Sequence, residues 1–338
     1  MMKLNPLLAL LLTAYLGSAV AADDPLSAWN DGHAKQAIKT WVNGATTANS
    51  KAFIPVSQRY VVFDNDGTLW PEAPLTFQLQ FVIDEIKRLA PQHPEWNSDA
   101  LVQAVINNDM NAVMQSGKKG LMQLMTLTHS GMTTEEFSQR VSNWVDSHRH
   151  VRFGCRYDQL GYQPMRQLLD YLRDNGFKTW IVSGGGIDFM RVLAEKMYGI
   201  PPEQVVGSFS LSEFSLTDNG TQLRKTMNGA FYDDEAMKPV AIHLFMGRRP
   251  VGAFGNSDGD VPMLQYTSAN PTYKTFGLLV HHTDAVREYA YDTHPPASGK
   301  LISGLKLAPQ KGWVIVDMKK EWKTVFDPAQ CAAVAGDK

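Results

Sequence analysis

Two aspartates stand two positions apart at the end of an unbroken apolar run: Tyr60-Val61-Val62-Phe63 leads into Asp64-Asn65-Asp66-Gly67-Thr68. Such a run reads as a buried strand with a charged tip. Three more apolar stretches end in polar residues. Residues 177–182 run into Ser183-Gly184-Gly185-Gly186, residues 250–254 into Gly255-Asn256-Ser257-Asp258-Gly259-Asp260, and residues 276–280 into His281-His282-Thr283-Asp284. Lys238 stands just before Pro239 and a helical run through Phe245. The chemistry these groups can support together is phosphoryl transfer. One carboxylate serves as nucleophile, a second two residues on moves protons, and hard oxygens hold Mg²⁺. A lysine, a hydroxyl and backbone amides then offset the charge spread over the equatorial oxygens.

Charged strand tips do chemistry only if a sheet brings them together. In open α/β sheets the crevice outside the carboxyl ends of the strands is where ligands bind. From residue 161 the helix and strand patterns alternate: Met165, Leu168, Leu169 and Leu172 form a helical face closed by Gly176, and the strand at 177–182 follows. The glycine run from Ser183 sits directly before helical spacing from Ile187 to Tyr198. Its amides and the helix N-terminus favour an anion such as phosphate, although a glycine run alone also reads as a simple tight turn.

The stretch from 72 to 152 has a different character. Phe77, Phe81, Ile83, Ile86 and Leu89 recur at helical spacing and stop before Pro91, Thr133 and Glu136 are spaced as a capping box, and Phe137, Val141, Trp144 and Val145 form one stripe. This predicts an all-helical insert without strands. Residues 205–232 alternate polar and apolar around Asp218-Asn219-Gly220, predicting a small β-hairpin or flap. Residues 23–58 read as a polar lead-in.

With 338 residues, 44% hydrophobic and 20% charged, the chain can bury a sizeable core, which excludes a disordered chain. A net charge of -2 offers no basic surface for nucleic acid or an acidic membrane. Met1 and Lys3, the apolar run from Leu7 and the small residues Ala19-Val20-Ala21 predict a signal peptide over residues 1–21, cleaved after Ala21. The expectation is an exported chain, periplasmic or secreted, with no membrane anchor. Cys155 and Cys331 permit one disulfide or two free thiols.

In this order, Asp64-Asn65-Asp66-Gly67-Thr68, Ser183 after a strand, Lys238, and Gly255 to Asp260 followed by Pro262-Met263-Leu264 resemble the four motifs of the haloacid dehalogenase (HAD) superfamily phosphatases over residues 60–265. The insert between the first and second motifs is similar to the C1 cap of phosphoserine-phosphatase-like members. The resemblance implies a Rossmann-like three-layer α/β core with a parallel sheet over 22–71 and 153–338, and a helical cap over 72–152. It implies hydrolysis of a small phosphomonoester with Mg²⁺. Asp64 would be nucleophile and metal ligand. Asp66 would be general acid and base, its carbonyl a metal ligand. Thr68, Ser183 and Gly184 would bind phosphoryl oxygens, Lys238 would neutralise the aspartyl-phosphate, and Asn256 and Asp260 would complete the metal set.

The fourth motif departs from the family pattern, which places an aspartate where this chain has Asn256. Weaker or different metal binding follows, with Asp258 as an extra carboxylate that compensates. A non-catalytic phosphoryl-ligand binder is therefore the alternative. Dehalogenase chemistry uses the same nucleophile without metal, and Asp66 argues against it. An EF-hand needs glycine and glutamate at its sixth and twelfth positions, where this chain has Leu69 and Leu75. The substrate stays open among phosphoserine, phosphocholine and other phosphomonoesters. Trp70, Phe77 and Trp144 read either as the lining of a quaternary-amine pocket or as core, and Glu72 with Trp70 as hinge or ligand contact. His281, His282 and Asp284 read as a solvated strand end near the crevice.

Overall fold

Val61, Val62 and Phe63 are fully buried, so Tyr60–Phe63 is covered on both faces past its first residue, as a strand in the middle of a covered parallel sheet must be. In a computed structural model of the chain, residues 24–218 and 220–331 are described; the signal-peptide segment lies outside them. In chain order the strands are β1 (Tyr60–Phe63), β2 (Lys178–Gly186), β3 (Val205–Ser208), β4 (Ser212–Thr217), β5 (Gly220–Lys225), β6 (Gly252–Gly255), β7 (Phe276–His281) and β8 (Val314–Asp317). Six of them form one sheet in the order β3-β2-β1-β6-β7-β8, every neighbouring pair parallel. The chain adds β2 and β3 on one side of β1, then returns to add β6, β7 and β8 on the other. A crevice opens at the carboxyl end of the strands where the order reverses. That reversal brings the tips of β1, β2 and β6 side by side.

The helices are α1 (His33–Thr46), α2 (Phe77–Leu89), α3 (Ala100–Ile106), α4 (Met110–Gln115), α5 (Gly117–His129), α6 (Thr134–Ser147), α7 (Gln163–Asp174), α8 (Ile187–Tyr198), α9 (Met237–Ala241), α10 (Val261–Ser268), α11 (Ser303–Lys311) and the single turn α12 (Met318–Glu321). Alternate residues of a strand point to opposite faces. Accordingly Val61, Phe63, Ile181, Phe254 and Leu278 share a core with α1, α7 and α8, whereas Val62, Val182, Ala253 and Leu279 pack with α9, α10 and α11. The result is a three-layer α/β core. Phe63 stacks on Phe254 at 4.2 Å between centroids, and truncating either ring to alanine would cost about 3–5 kcal/mol.

Between β1 and α7 stand the five helices α2 to α6, with no strand among them. Both halves of the capping box form at Thr133 and Glu136. The β4–β5 hairpin leaves the core and docks on the corner between α5 and α6, where the Gly131 N–H donates to the Lys225 carbonyl (3.0 Å) and the Lys225 N–H donates to the Met132 carbonyl (2.8 Å). The crevice is therefore roofed by two separate pieces of chain.

Several expectations are corrected. Residues 23–58 hold α1, whose stripe of Ala34, Ile38, Trp41, Val42 and Ala45 is buried. Residues 205–208 form the sheet edge, so the hairpin begins only at Ser212. No separate glycine turn follows Ser183. Instead β2 continues through Gly186, with a shift in its pairing to β3 between Ser183 and Gly186, and α8 starts at the next residue. Cys155 and Cys331 form a disulfide that ties the chain just after the helical insert to its far end.

Candidate active site

The N–H of Asp64 still follows the sheet, donating to the Phe254 carbonyl (2.8 Å), so the first carboxylate is fixed by β6. The chain then turns sharply. The Leu69 N–H donates to the Asn65 carbonyl (2.8 Å) and the Gly67 N–H to the Trp70 carbonyl (2.7 Å). Gly67 takes φ +75°, and a Cβ there would collide with Asn256 Nδ2 and Glu72 Oε1. Only glycine fits.

Lys238 is delivered by α9 into this tip and is buried. Its Nζ donates to Asp64 Oδ1 (2.7 Å), Asp260 Oδ1 (2.5 Å) and the Val182 carbonyl (3.2 Å), which uses every ammonium hydrogen. Burial would depress the Lys238 pKa, but the two carboxylates hold it well above its ordinary value. Burial also pushes the Asp64 carboxyl up, and the neighbouring Asp260 adds to this while Lys238 opposes it. Asp260 is fully engaged. Its Oδ2 accepts from the N–H groups of Asn256 (2.9 Å) and Ser257 (3.0 Å) and from the Ser257 hydroxyl (3.2 Å).

Asp66 accepts from the Trp70 indole N–H (2.7 Å). Burial pushes its carboxyl up to about 6, against the pull of Trp70 and Lys238. That suits a group that must exchange a proton near neutral pH. Ser183 and Gly184 at the end of β2 face the same cavity as Asp64, Asp66 and Lys238. Thr68 does not. It is fully buried, and its hydroxyl donates to Asn256 Oδ1 (3.0 Å) behind the cavity wall.

Asn256 is held on its other side by Glu72, whose Oε1 accepts from Asn256 Nδ2 (2.6 Å) and from the Tyr291 hydroxyl (2.8 Å). Glu72 Oε2 accepts from Ser298 (2.6 Å), and burial pushes this carboxyl up to about 7. Glu72 lines the cavity, so a carboxylate stands beside the amide of Asn256. Asp258 does not compensate in this way. Its Oδ1 accepts from the Ile302 (3.0 Å) and Gly304 (2.9 Å) N–H groups and holds that loop.

The end of β7 is not a solvated tip. His282 is buried, with Nε2 on the Gly67 carbonyl (2.7 Å) and Nδ1 on Glu288 Oε2 (3.0 Å). Both ring nitrogens face acceptors, which favours the imidazolium, and Glu288 raises its pKa against the effect of burial. Asp284 is also buried and accepts from the Val286 (3.1 Å) and Arg287 (3.0 Å) N–H groups. His281 is half-buried, 3.4 Å from Asp292. Trp70, Phe77 and Trp144 are core, not a pocket lining: Trp70 packs on Phe77 at 4.8 Å and Trp144 on Tyr157 at 4.3 Å.

Among the described residues no group of three His, Cys, Asp or Glu side chains is placed to hold a metal ion. An ion at this tip would therefore draw on neutral oxygens as well. Buried Asp64 and half-buried Asp66 lie at this tip beside backbone and amide oxygens, hard donors of the kind Mg²⁺ takes, and Lys238 offsets only part of the negative charge that they and Asp260 bring. The residues fit such an ion by charge and donor type.

Residues 61–265 match the family model of the haloacid dehalogenase-like hydrolases. No curated protein matches the chain at a significant level. Among solved structures the chain is similar to a conserved, functionally unknown protein from Anaerococcus prevotii DSM 20548, at 15% identity and TM-score 0.54, covering 82% of this chain and 89% of that one. A phosphoserine phosphohydrolase-like protein from Francisella tularensis subsp. tularensis SCHU S4 aligns at 18% identity and TM-score 0.36, over 66% of this chain and 87% of that one. At 15% identity the likeness to the Anaerococcus protein is one of fold.

Proposed function

Because the chain belongs to the haloacid dehalogenase-like hydrolase family, we propose that it hydrolyses a small phosphomonoester through an aspartyl-phosphate on Asp64, with Mg²⁺ as cofactor. The observation that carries this reading is Lys238 Nζ bridging Asp64 (2.7 Å) and Asp260 (2.5 Å) at the floor of a cavity that also presents Asp66 and Ser183. The phosphoserine phosphohydrolase-like neighbour is named for the same kind of reaction, although the reading does not rest on it.

Asp64 attacks phosphorus, its new P–O bond forming as the ester P–O bond breaks. The departing alkoxide takes the proton of Asp66, whose half-buried carboxyl retains one to about pH 6. Asp66, now ionised, then accepts a proton from water, which attacks phosphorus and releases phosphate and free Asp64. Ser183 and the Gly184 backbone hold the phosphoryl oxygens, and Lys238 offsets charge on the aspartyl-phosphate. The Asp64 carboxylate and the Asp66 carbonyl would hold Mg²⁺ with Glu72 on the same wall, and the Asn256 amide oxygen would join them on giving up the Thr68 hydroxyl. Asp260 stays behind them, anchoring Lys238. When bound, the ion would neutralise developing charge on the phosphoryl group.

Residues 72–152 are proposed as the cap and 22–71 with 153–338 as the core. The chain is proposed to act outside the cytoplasm, after cleavage at Ala21; the leader-like N-terminus and the Cys155–Cys331 disulfide support this. Purified mature protein should hydrolyse p-nitrophenyl phosphate with Mg²⁺ and lose that activity in chelator. Turnover untouched by exhaustive chelation would remove the metal from the account. Phosphate-ester binding without turnover would favour the binder that Asn256 alone suggests.

A further inference from the structure

Above the catalytic floor the cavity measures about 400 Å³, within the range of small-molecule sites. Met125 from α5, Phe137 from α6, Phe189 from α8, and Phe209, Met227 and Phe231 around the hairpin base wall it. The charged and polar groups buried among them are already paired within the protein. Lys225 pairs with Asp188, and its ammonium lies 4.8 Å from the centre of the Phe137 ring. His129 sits with Nδ1 on the Thr128 hydroxyl (2.8 Å) and Nε2 on Gln78 Nε2 (3.4 Å). This arrangement suits a neutral ring, and burial, with Lys225 nearby, pushes its pKa down to about 3. Gln78 Oε1 in turn accepts the Gly186 N–H (2.7 Å). Lys118 and Asp234 stand 3.6 Å apart at the mouth, largely in solvent. Among the described residues no arginine lines the cavity.

A zwitterionic or cationic alcohol finds no unpaired buried counter-ion among these walls, so its charge would leave water with little more than ring faces and methionine sulfur to meet it. An apolar alcohol meets no such cost. We infer that the substrate is a phosphomonoester of an apolar alcohol, of benzyl or branched-alkyl type, its phosphate on the Asp64 floor and its carbon group against Met125, Met227 and the surrounding rings. Methionine adapts to such shapes. This inference deepens the phosphomonoesterase reading and rests on it.

The test is kcat/KM of the purified protein with Mg²⁺ for benzyl phosphate and isopentyl phosphate against O-phosphoserine, phosphocholine and ethanolamine phosphate. All are esters of primary alcohols, and the ammonium-bearing ones have the better leaving groups, so leaving-group strength cannot produce a lead for the apolar pair. The apolar pair should lead by about tenfold or more, the discrimination a pocket of this kind gives for a few buried carbons. The Met125→Gln variant, at a half-buried position, should shrink that lead by about fivefold. If Met125→Gln does not fold, Met227→Gln makes the same measurement. A lead of less than about fivefold in the wild type, or a lead unchanged in the folded variant, overturns the assignment while leaving the hydrolase reading intact. Turnover of none of the five esters, nor of p-nitrophenyl phosphate, overturns both.

Discussion

Asn256 donates through Nδ2 to Glu72 Oε1 over 2.6 Å, so the amide at the family's usual aspartate position already has a carboxylate beside it. Asn256→Asp would set two carboxylates against each other in a buried place. Divalent metal should relieve that repulsion. The variant should reach half-maximal activity at about tenfold lower Mg²⁺ than wild type, and should unfold at lower temperature than wild type in chelator. An unchanged Mg²⁺ titration would take Asn256 out of the metal set.

The Trp70 indole N–H and Asp66 Oδ1 meet at 2.7 Å, four residues apart in the turn after β1. Trp70→Phe keeps a ring for Phe77 to pack on but removes this donor. A hydrogen bond to a carboxylate contributes about 1.5–3 kcal/mol. The expected outcome is a fall in kcat of about tenfold with little change in KM, because the bond orients a proton donor and not the substrate. Loss confined to KM would contradict that role.

His282 gives a pH signature in stability. Its folded pKa is raised above 6.5 by Glu288, with Glu72 adding to the effect and Tyr291 stacked on the ring at 4.4 Å. The folded state therefore binds more protons than the unfolded chain above pH 6.5. The stabilisation is fully present below that value and is lost as pH rises through the folded pKa. Urea unfolding of wild type and His282→Gln should show a gap of about 3 kcal/mol near pH 6. It should narrow steadily as pH rises above 6.5 and through the raised folded pKa. A constant gap would mean that His282 acts as a neutral ring.

Most residues proposed for the chemistry were legible because each follows an apolar run: Asp64 and Asp66 after β1, Ser183 after the apolar part of β2, Asp260 after β6. The residues that position them were not. The His282 ring reaches the Gly67 carbonyl across 215 positions, and Tyr291 reaches Glu72 across 219. No local pattern encodes such pairings. Thr68 matched the motif in type, but its hydroxyl is spent on Asn256. β3 is no shorter than β1, but its residues merge with the polar and apolar alternation that continues into the hairpin. The cavity walls also escaped reading, because they combine α5, α6, α8 and the hairpin base, elements adjacent only in the folded chain.

The Cys155–Cys331 disulfide closes a loop of 176 positions between the helical insert and the far end of the chain. Cross-links over long loops restrict the unfolded chain most. Reduction, or the double Cys→Ser variant, should lower unfolding free energy by about 2–5 kcal/mol. Activity of the folded fraction should persist, since neither cysteine touches the cavity. A reduced protein of unchanged stability would show that the packing of Phe153 and Phe326 already holds this junction.

Asp64 bears the central claim, and Asp64→Asn tests it most directly. The amide matches the carboxylate in shape but cannot form the same phosphorylated intermediate. With deamidation excluded by mass spectrometry and the thermal unfolding profile native, kcat on p-nitrophenyl phosphate should fall by at least about a thousandfold. Turnover within about tenfold of wild type would contradict nucleophilic catalysis by Asp64, and with it the mechanism proposed for this site.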